Sequence, residues 1–176
     1  MTDDNLLATT RPGLEVDAAR LEQWMSANIA GFRGPLSVKQ FRGGQSNPTY
    51  LLETPHQHYV LRRKPPGELL ASAHAVDREY RVLAALSEFP VPVPRVFALC
   101  EDAAVIGTAF YVMQHVAGRI VWESALPEGP PDARRMHFEA MNAALASLHN
   151  VDYRAAGLAD FGRAEGYIAR QVSRWS

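Results

Sequence analysis

In FRGGQSNPTYLLET, Phe41 to Thr54, paired glycines and a run of small polar residues stand directly before an apolar, β-prone segment. Adjacent glycines permit backbone angles and a close approach that a Cβ forbids. Across Gly43, Gly44, Gln45, Ser46 and Asn47, successive N–H groups can therefore point at a phosphate. Ser46 and Asn47 could add side-chain donors. The same residues equally suit a plain hairpin loop that needs positive φ. The stretch is not G-x-x-x-x-G-K-[ST] and runs from strand to strand, which removes the Walker and Rossmann readings. Pro48 in Asn47-Pro48-Thr49 likewise excludes a glycosylation site.

The next chemistry-bearing run is YVLRRKP. A period of two puts Val60, Arg62 and Lys64 on one face and Tyr59, Leu61 and Arg63 on the other, so one face pairs an apolar floor with a cation. In the helical run that follows, Glu79 falls three residues after Val76 and four before Leu83, inside the apolar stripe. It either snorkels outward or takes a partner. A cation on the preceding strand offers a specific mate, and together they suggest an ion pair that positions phosphate. Other candidates carry less. His56 and His58 form an H-x-H in a turn with no third ligand nearby. His149 and Asp152, followed by Asp160-Phe161-Gly162, imitate a kinase catalytic loop and its metal-binding motif. A catalytic loop of that kind needs an asparagine five residues after its aspartate, where Gly157 stands, and only seven residues separate the two aspartates. Asp160 reads as structural and His149 as a helix-edge residue.

These groups must be positioned by an ordinary globular chain, 47% hydrophobic and 21% charged over 176 residues. The net charge of -1 and the scattered basic residues give no reason to expect nucleic acid. The acidic start MTDDNLLATTRPG has no basic region followed by an apolar one, and no window reaches the ~18 apolar residues of a membrane helix. The expectation is a cytoplasmic protein. Cys100 is the only cysteine, which excludes an internal disulfide, and it sits in the apolar run RVFALC as a small buried hydrophobe would. Helical spacing of Leu21, Trp24, Met25 and Ile29 predicts a first helix with Asp17 as N-cap. LSVKQF, TYLLE and HYVLRRK read as strands. A helix through Val76, Tyr80, Leu83 and Leu86 follows; then come a strand after the prolines of FPVPVPRVFALC, a turn EDAAVIGT and a strand AFYVMQHV. PPDARRMHFEAMNAALASLHN and GYIARQVSRWS are two further amphipathic helices.

FRGGQSNPTY, YVLRRKP, VDREYRVLAAL, PVPRVF, FYVMQHVAG and LASLHNVD, in that order, resemble the aminoglycoside phosphotransferase family of the protein-kinase-like superfamily. The resemblance runs from about Val16 to the C-terminus. Within the family it is closest to the subgroup resembling the kinase-like portion of acyl-CoA dehydrogenase fusion proteins. It implies an α+β fold: a protein-kinase-like N-lobe of five antiparallel strands with one inserted and one N-terminal helix over 1–113, a hinge at 114–118, and the start of a helical C-lobe over 119–176. It implies that the loop from Gly43 to Asn47 covers the phosphates of ATP, with Val60 beneath. Arg62 stands where the family commonly has lysine, and Glu79 pairs with it. Lys64 is the rival cation, although Pro65 after it ends the strand. Arginine suits a bidentate contact, whereas fine positioning is the property its substitution for lysine puts in question. Met113 would lie behind adenine, with base contacts from the main chain of Gln114 and Val116.

The family's H-G-D-x-x-x-x-N catalytic loop and later metal-binding aspartate have no counterpart among these residues. Catalytic residues and Mg²⁺ ligands are therefore expected only in a C-terminal part beyond Ser176, where an amphipathic helix stops without a C-cap signal. The expected function is the ATP-binding part of a kinase acting on a hydroxyl of a small-molecule acceptor, with an acyl-CoA dehydrogenase-type partner or fusion. A non-catalytic, pseudokinase-like nucleotide-binding module and a purely structural domain are the other two classes.

Overall fold

The computed structural model describes residues 6–42, 47–67, 74–118, 120–121, 123, 130–162 and 165–175. The chain forms two compact units, Met1–Ala84 with Val93–Pro127, and Ala85–Pro92 with Glu128–Ser176. The first carries a six-stranded sheet: β1 (Leu7–Ala8), β2 (Ser37–Phe41), β3 (Thr49–Glu53), β4 (His58–Arg63), β5 (Val96–Cys100) and β6 (Phe110–Gln114). Its order is β1-β2-β3-β4-β6-β5, every neighbouring pair antiparallel. Helix α1 (Ala18–Asn28) precedes β2, and α2 (Val76–Leu86) lies between β4 and β5 in sequence.

The sequence predicts five strands, and the sixth is a correction. β1 is two residues long and is defined by main-chain pairing of Leu7 and Ala8 with Phe41 and Gln40, so it leaves no side-chain period to read. EDAAVIGT, expected as a turn, contains one helical turn, α3 (Ala103–Ile106). Asp102 caps its first N–H groups, and Gly107 ends it in the left-handed region at φ 89.

Alternation of side chains sorts the sheet into two faces. Tyr50 and Leu52, Tyr59 and Leu61, and Phe110 and Val112 form one core cluster with Leu21, Met25 and Ile29 from α1 and its C-cap. Trp24 meets Phe110 edge to face at 4.8 Å. Asp17 caps α1 by accepting the Arg20 N–H, as its position predicts. Cys100 is buried and free in the same cluster, where burial pushes its thiol pKa up and keeps it protonated.

Arg63 shares this apolar face at only 3% exposure, a location for which the sequence reading offers no partner. Its Nε donates to the Thr108 hydroxyl at 3.1 Å and its Nη1 to the Glu15 carbonyl at 3.2 Å. The Tyr50 hydroxyl donates to the neighbouring Leu14 carbonyl at 2.6 Å. A cation and a phenol reaching through the core thus pin the segment leading into α1.

The second unit contains α4 (Pro131–His149) and α5 (Tyr167–Trp175). Proline opens α4, where a missing N–H costs nothing. No residue of either helix is buried; Met141, Leu145 and Leu148 of α4 and Ile168, Val172 and Trp175 of α5 are exposed apolar side chains.

Arg63→Ala is expected to lower unfolding free energy by about 2–4 kcal/mol, because it leaves buried acceptors unpaired and empties packed volume. Urea denaturation beside the exposed control Arg33→Ala checks this, and equal losses in the two variants would show that Arg63 pins nothing.

Candidate functional site

Residues directly opposite each other on paired strands share a face. Opposite the core, that places Thr49, Arg62 and Tyr111 in one row and Leu51, Val60 and Met113 in the next. The first row is polar and cationic; the second is apolar. Glu79, in the first turn of α2, closes over the polar row, where a carboxylate also complements the helix dipole.

Arg62 donates from Nε to Glu79 Oε2 at 2.8 Å and from Nη2 to Oε1 at 3.2 Å, a side-on fork. Its Nη1 donates to Thr49 Oγ1 at 3.2 Å, and Thr49 in turn donates to the Asn47 carbonyl at 3.1 Å. The Tyr111 hydroxyl donates to Glu79 Oε2 at 3.0 Å and Asn47 Nδ2 to Oε1 at 2.7 Å. Each carboxylate oxygen therefore accepts two bonds. A guanidinium has five N–H groups; among the described residues three are used, leaving one on each terminal nitrogen.

The pair is largely but not fully buried, with 27% of the Arg62 side chain and 34% of that of Glu79 exposed. Burial alone would raise the Glu79 pKa, but the hydrogen bond and charge of Arg62, then Tyr111 and Asn47, outweigh it and hold the carboxyl below its ordinary value. Burial likewise opposes the charge on Arg62, and Glu79 overcomes it and raises the pKa. Burial and the adjacent carboxylate push the Tyr111 phenol far up, so it remains a donor.

The other expected residues fall as follows. Gly43, Gly44, Gln45 and Ser46 lie outside the described residues. Asn47 is 3% exposed and turned to Glu79 and His74. Val60 and Met113 sit opposite each other in the apolar row. Lys64 lies past the end of β4, its N–H bonded to the Ala109 carbonyl, while the Glu79 oxygens are filled by other donors. The Gln114 N–H is given to the Arg95 carbonyl at 2.7 Å, so this residue can serve a ligand's main-chain contact only through its carbonyl. Val116 is exposed two residues beyond β6. Asp152 Oδ1 accepts the N–H groups of Arg154 and Ala155 and so organises a turn.

Thr49, His74 and Tyr111 are members of the network that the sequence reading does not single out. Tyr111 was recoverable in principle: in FYVMQ it precedes Met113 by two and so shares its face. His74 carries no such signal. His58 and His115 meet edge to face at 5.7 Å, and burial followed by the charge of His58 lowers the His115 pKa. No group of three or more His, Cys, Asp or Glu among the described residues is placed to hold a metal ion.

Because the Glu79 pKa is depressed, the stability its carboxylate supplies is fully present above the unfolded value of about 4.3 and is lost as pH falls through the lower folded value. Glu79→Gln is expected to cost about 1–3 kcal/mol at pH 7, between the exposed and buried limits for ion pairs. The gap to the unsubstituted chain should narrow below pH ~4.3 in denaturant titrations. A gap independent of pH would deny the pair its charge.

Comparison with known proteins gives the family of the chain. The model of the phosphotransferase enzyme family matches residues 37–176. A crystal structure from Ralstonia eutropha, provisionally named an aminoglycoside phosphotransferase, superimposes with a TM-score of 0.79 and 48% identity, covering 92% of this chain and 46% of that one. "Probable acyl-CoA dehydrogenase IBR3" of Arabidopsis thaliana is 49% identical over 90% of this chain, and "Acyl-CoA dehydrogenase family member 11" of Homo sapiens is 40% identical over 99%. The chain spans 20% and 23% of those two proteins. With a kinase-like α+β sheet, a strand arginine paired to a helix glutamate and a family match over residues 37–176, the chain belongs to the phosphotransferase enzyme family.

Proposed function

We propose that this chain is the ATP-binding part of a small-molecule phosphotransferase, a kinase that in its full-length form transfers the γ-phosphoryl group to a hydroxyl of its acceptor. The observation that carries the reading is the Arg62–Glu79 fork. It fixes a guanidinium beside an apolar row of Leu51, Val60 and Met113 while, among the described residues, an N–H on each terminal nitrogen is not engaged and could meet an anion. Bound ATP would supply the group transferred. Arg62 would hold its phosphates, and the loop from Gly43 to Asn47 would cover them. The Gln114 carbonyl and the Val116 N–H would orient adenine against Val60 and Met113.

In this reading, Mg²⁺ binding and acceptor positioning belong to the full-length protein, since the H-G-D-x-x-x-x-N pattern is not among these residues. The names of its relatives support a protein in which this portion accompanies an acyl-CoA dehydrogenase-type portion. No helix among the described residues is long and apolar enough to cross a membrane, and we adopt a cytoplasmic kinase as the working reading. A pseudokinase-like module that binds nucleotide without chemistry is the second reading, favoured by the missing H-G-D-x-x-x-x-N pattern.

In calorimetry, Arg62→Ala is expected to weaken ATP binding about tenfold to a hundredfold, the range of one or two charge-assisted hydrogen bonds, while adenosine binds as before. Valine at Gly43 and Gly44 should have the same selectivity. Equal effects on both ligands, or none on ATP, would remove the phosphate-binding assignment. For the 176-residue chain, no Mg²⁺-dependent ATP consumption above background is expected in a coupled assay. Consumption abolished by Asp152→Ala or Asp160→Ala would instead place the catalytic groups here. Turnover by the full-length protein separates the kinase from the pseudokinase.

A further inference from the structure

Asn47 lies between two groups that together dictate its orientation. An ionised carboxylate can only accept, so the contact of 2.7 Å to Glu79 Oε1 requires the amide to present its NH₂ there. Its Oδ1 then faces His74 Nδ1 at 3.0 Å, and a carbonyl oxygen can only accept, so that ring nitrogen must carry a proton. The chain of polarity from imidazole to amide to carboxylate to guanidinium has one self-consistent direction. Both the neutral Nδ1–H tautomer and the imidazolium satisfy it.

The backbone supports the same arrangement. His74 has φ 62, the left-handed region that residues with a Cβ seldom occupy, and it is the only non-glycine with positive φ among the described residues. Its carbonyl accepts the Val76 N–H at 2.9 Å just where α2 begins, three residues before Glu79. An unfavourable backbone conformation persists where surrounding contacts over-determine it.

We propose that His74 is a positioning residue for the Arg62–Glu79 pair, acting through Asn47; this rests on the reading of that pair as the phosphate holder. With Asn47 held at both ends, its NH₂ enters Glu79 Oε1 from one side while Arg62 Nη2 enters from the other, which sets the plane of the fork and the direction of the remaining guanidinium N–H groups. Without His74, the amide can rotate and turn its oxygen toward the carboxylate, which repels it.

Three variants of the 176-residue chain test this. His74→Gly keeps the left-handed backbone and removes the donor. His74→Asn keeps tolerance for that backbone and offers an N–H. Asn47→Ala removes the relay. Without ligand, NMR titration of the Glu79 carboxyl is expected to show a raised pKa in His74→Gly and in Asn47→Ala, and no further rise when both are combined, because residues acting in series are not additive. With ligand, His74→Gly should weaken ATP about fivefold, a typical contribution for one hydrogen bond, with His74→Asn recovering most of it and adenosine unaffected. An unmoved Glu79 titration in His74→Gly, an equal rise in the Asn47→Ala background, or ATP affinity indifferent to His74→Gly would each overturn the proposal. If the unsubstituted chain fails to bind ATP, the phosphate reading falls, and the titration alone decides whether His74 orients the pair.

Discussion

Desolvation of two charges is the constraint around which the site is arranged. Bringing Arg62 and Glu79 out of bulk water costs each more than a single contact returns, and such a pair persists only when geometry is good and leftover lone pairs are met. Here the carboxylate receives four donors from three residues besides the helix that carries it: Arg62 twice, Tyr111 and Asn47. Those donors come from β4, β6 and the segment before β3. The sheet order matters for that reason: β6 returns next to β4, which puts Tyr111 directly opposite Arg62.

Two adjacent arginines divide the labour of β4. Alternation sends Arg62 to the face shared with Glu79 and Arg63 into the core, so one residue's difference in position decides whether a guanidinium pairs with a carboxylate or pins the core. Arg63 spends its donors on a hydroxyl and a main-chain carbonyl, which need no countercharge but do need a fork long enough to reach both. Exchanging their environments by a register slip would bury the ion pair and strand the core cation. That penalty helps fix the register of the central strands.

Much of this was legible because period and spacing are local properties. Val60, Arg62 and Glu79 follow from a period of two and a period near four, and the structure brings Arg62 and Glu79 together. What was not legible depends on contacts between segments far apart in sequence. Strand β1 is defined by main-chain pairing with β2, with the Arg42 side chain donating to the Leu7 carbonyl. Asn47 looked like a phosphate donor from its loop, yet its side chain is turned to Glu79, 32 residues away, and to His74, 27 away. The residual exposure of the pair was not legible either, since an apolar stripe on α2 says which face Glu79 occupies but not how much of it solvent reaches.

Arginine at position 62 changes what the site can do relative to lysine. A lysine ammonium is a compact point charge on a flexible stem, and binding Glu79 would leave its remaining donors free to swing. The planar fork of Arg62 is instead fixed by bonds on all three nitrogens, two to Glu79 and one to Thr49, so the directions of the two N–H groups not engaged among the described residues are set before any anion arrives. Preorganisation of that kind reduces the ordering entropy lost on binding. In the proposed phosphate-holding role it would also make the site less adaptable, because an anion would have to meet the fork in the plane that Glu79 imposes. The support around Glu79 is therefore as much a part of the arginine's function as the arginine itself: a carboxylate held by one donor could rock and carry the guanidinium with it, whereas one held by four cannot.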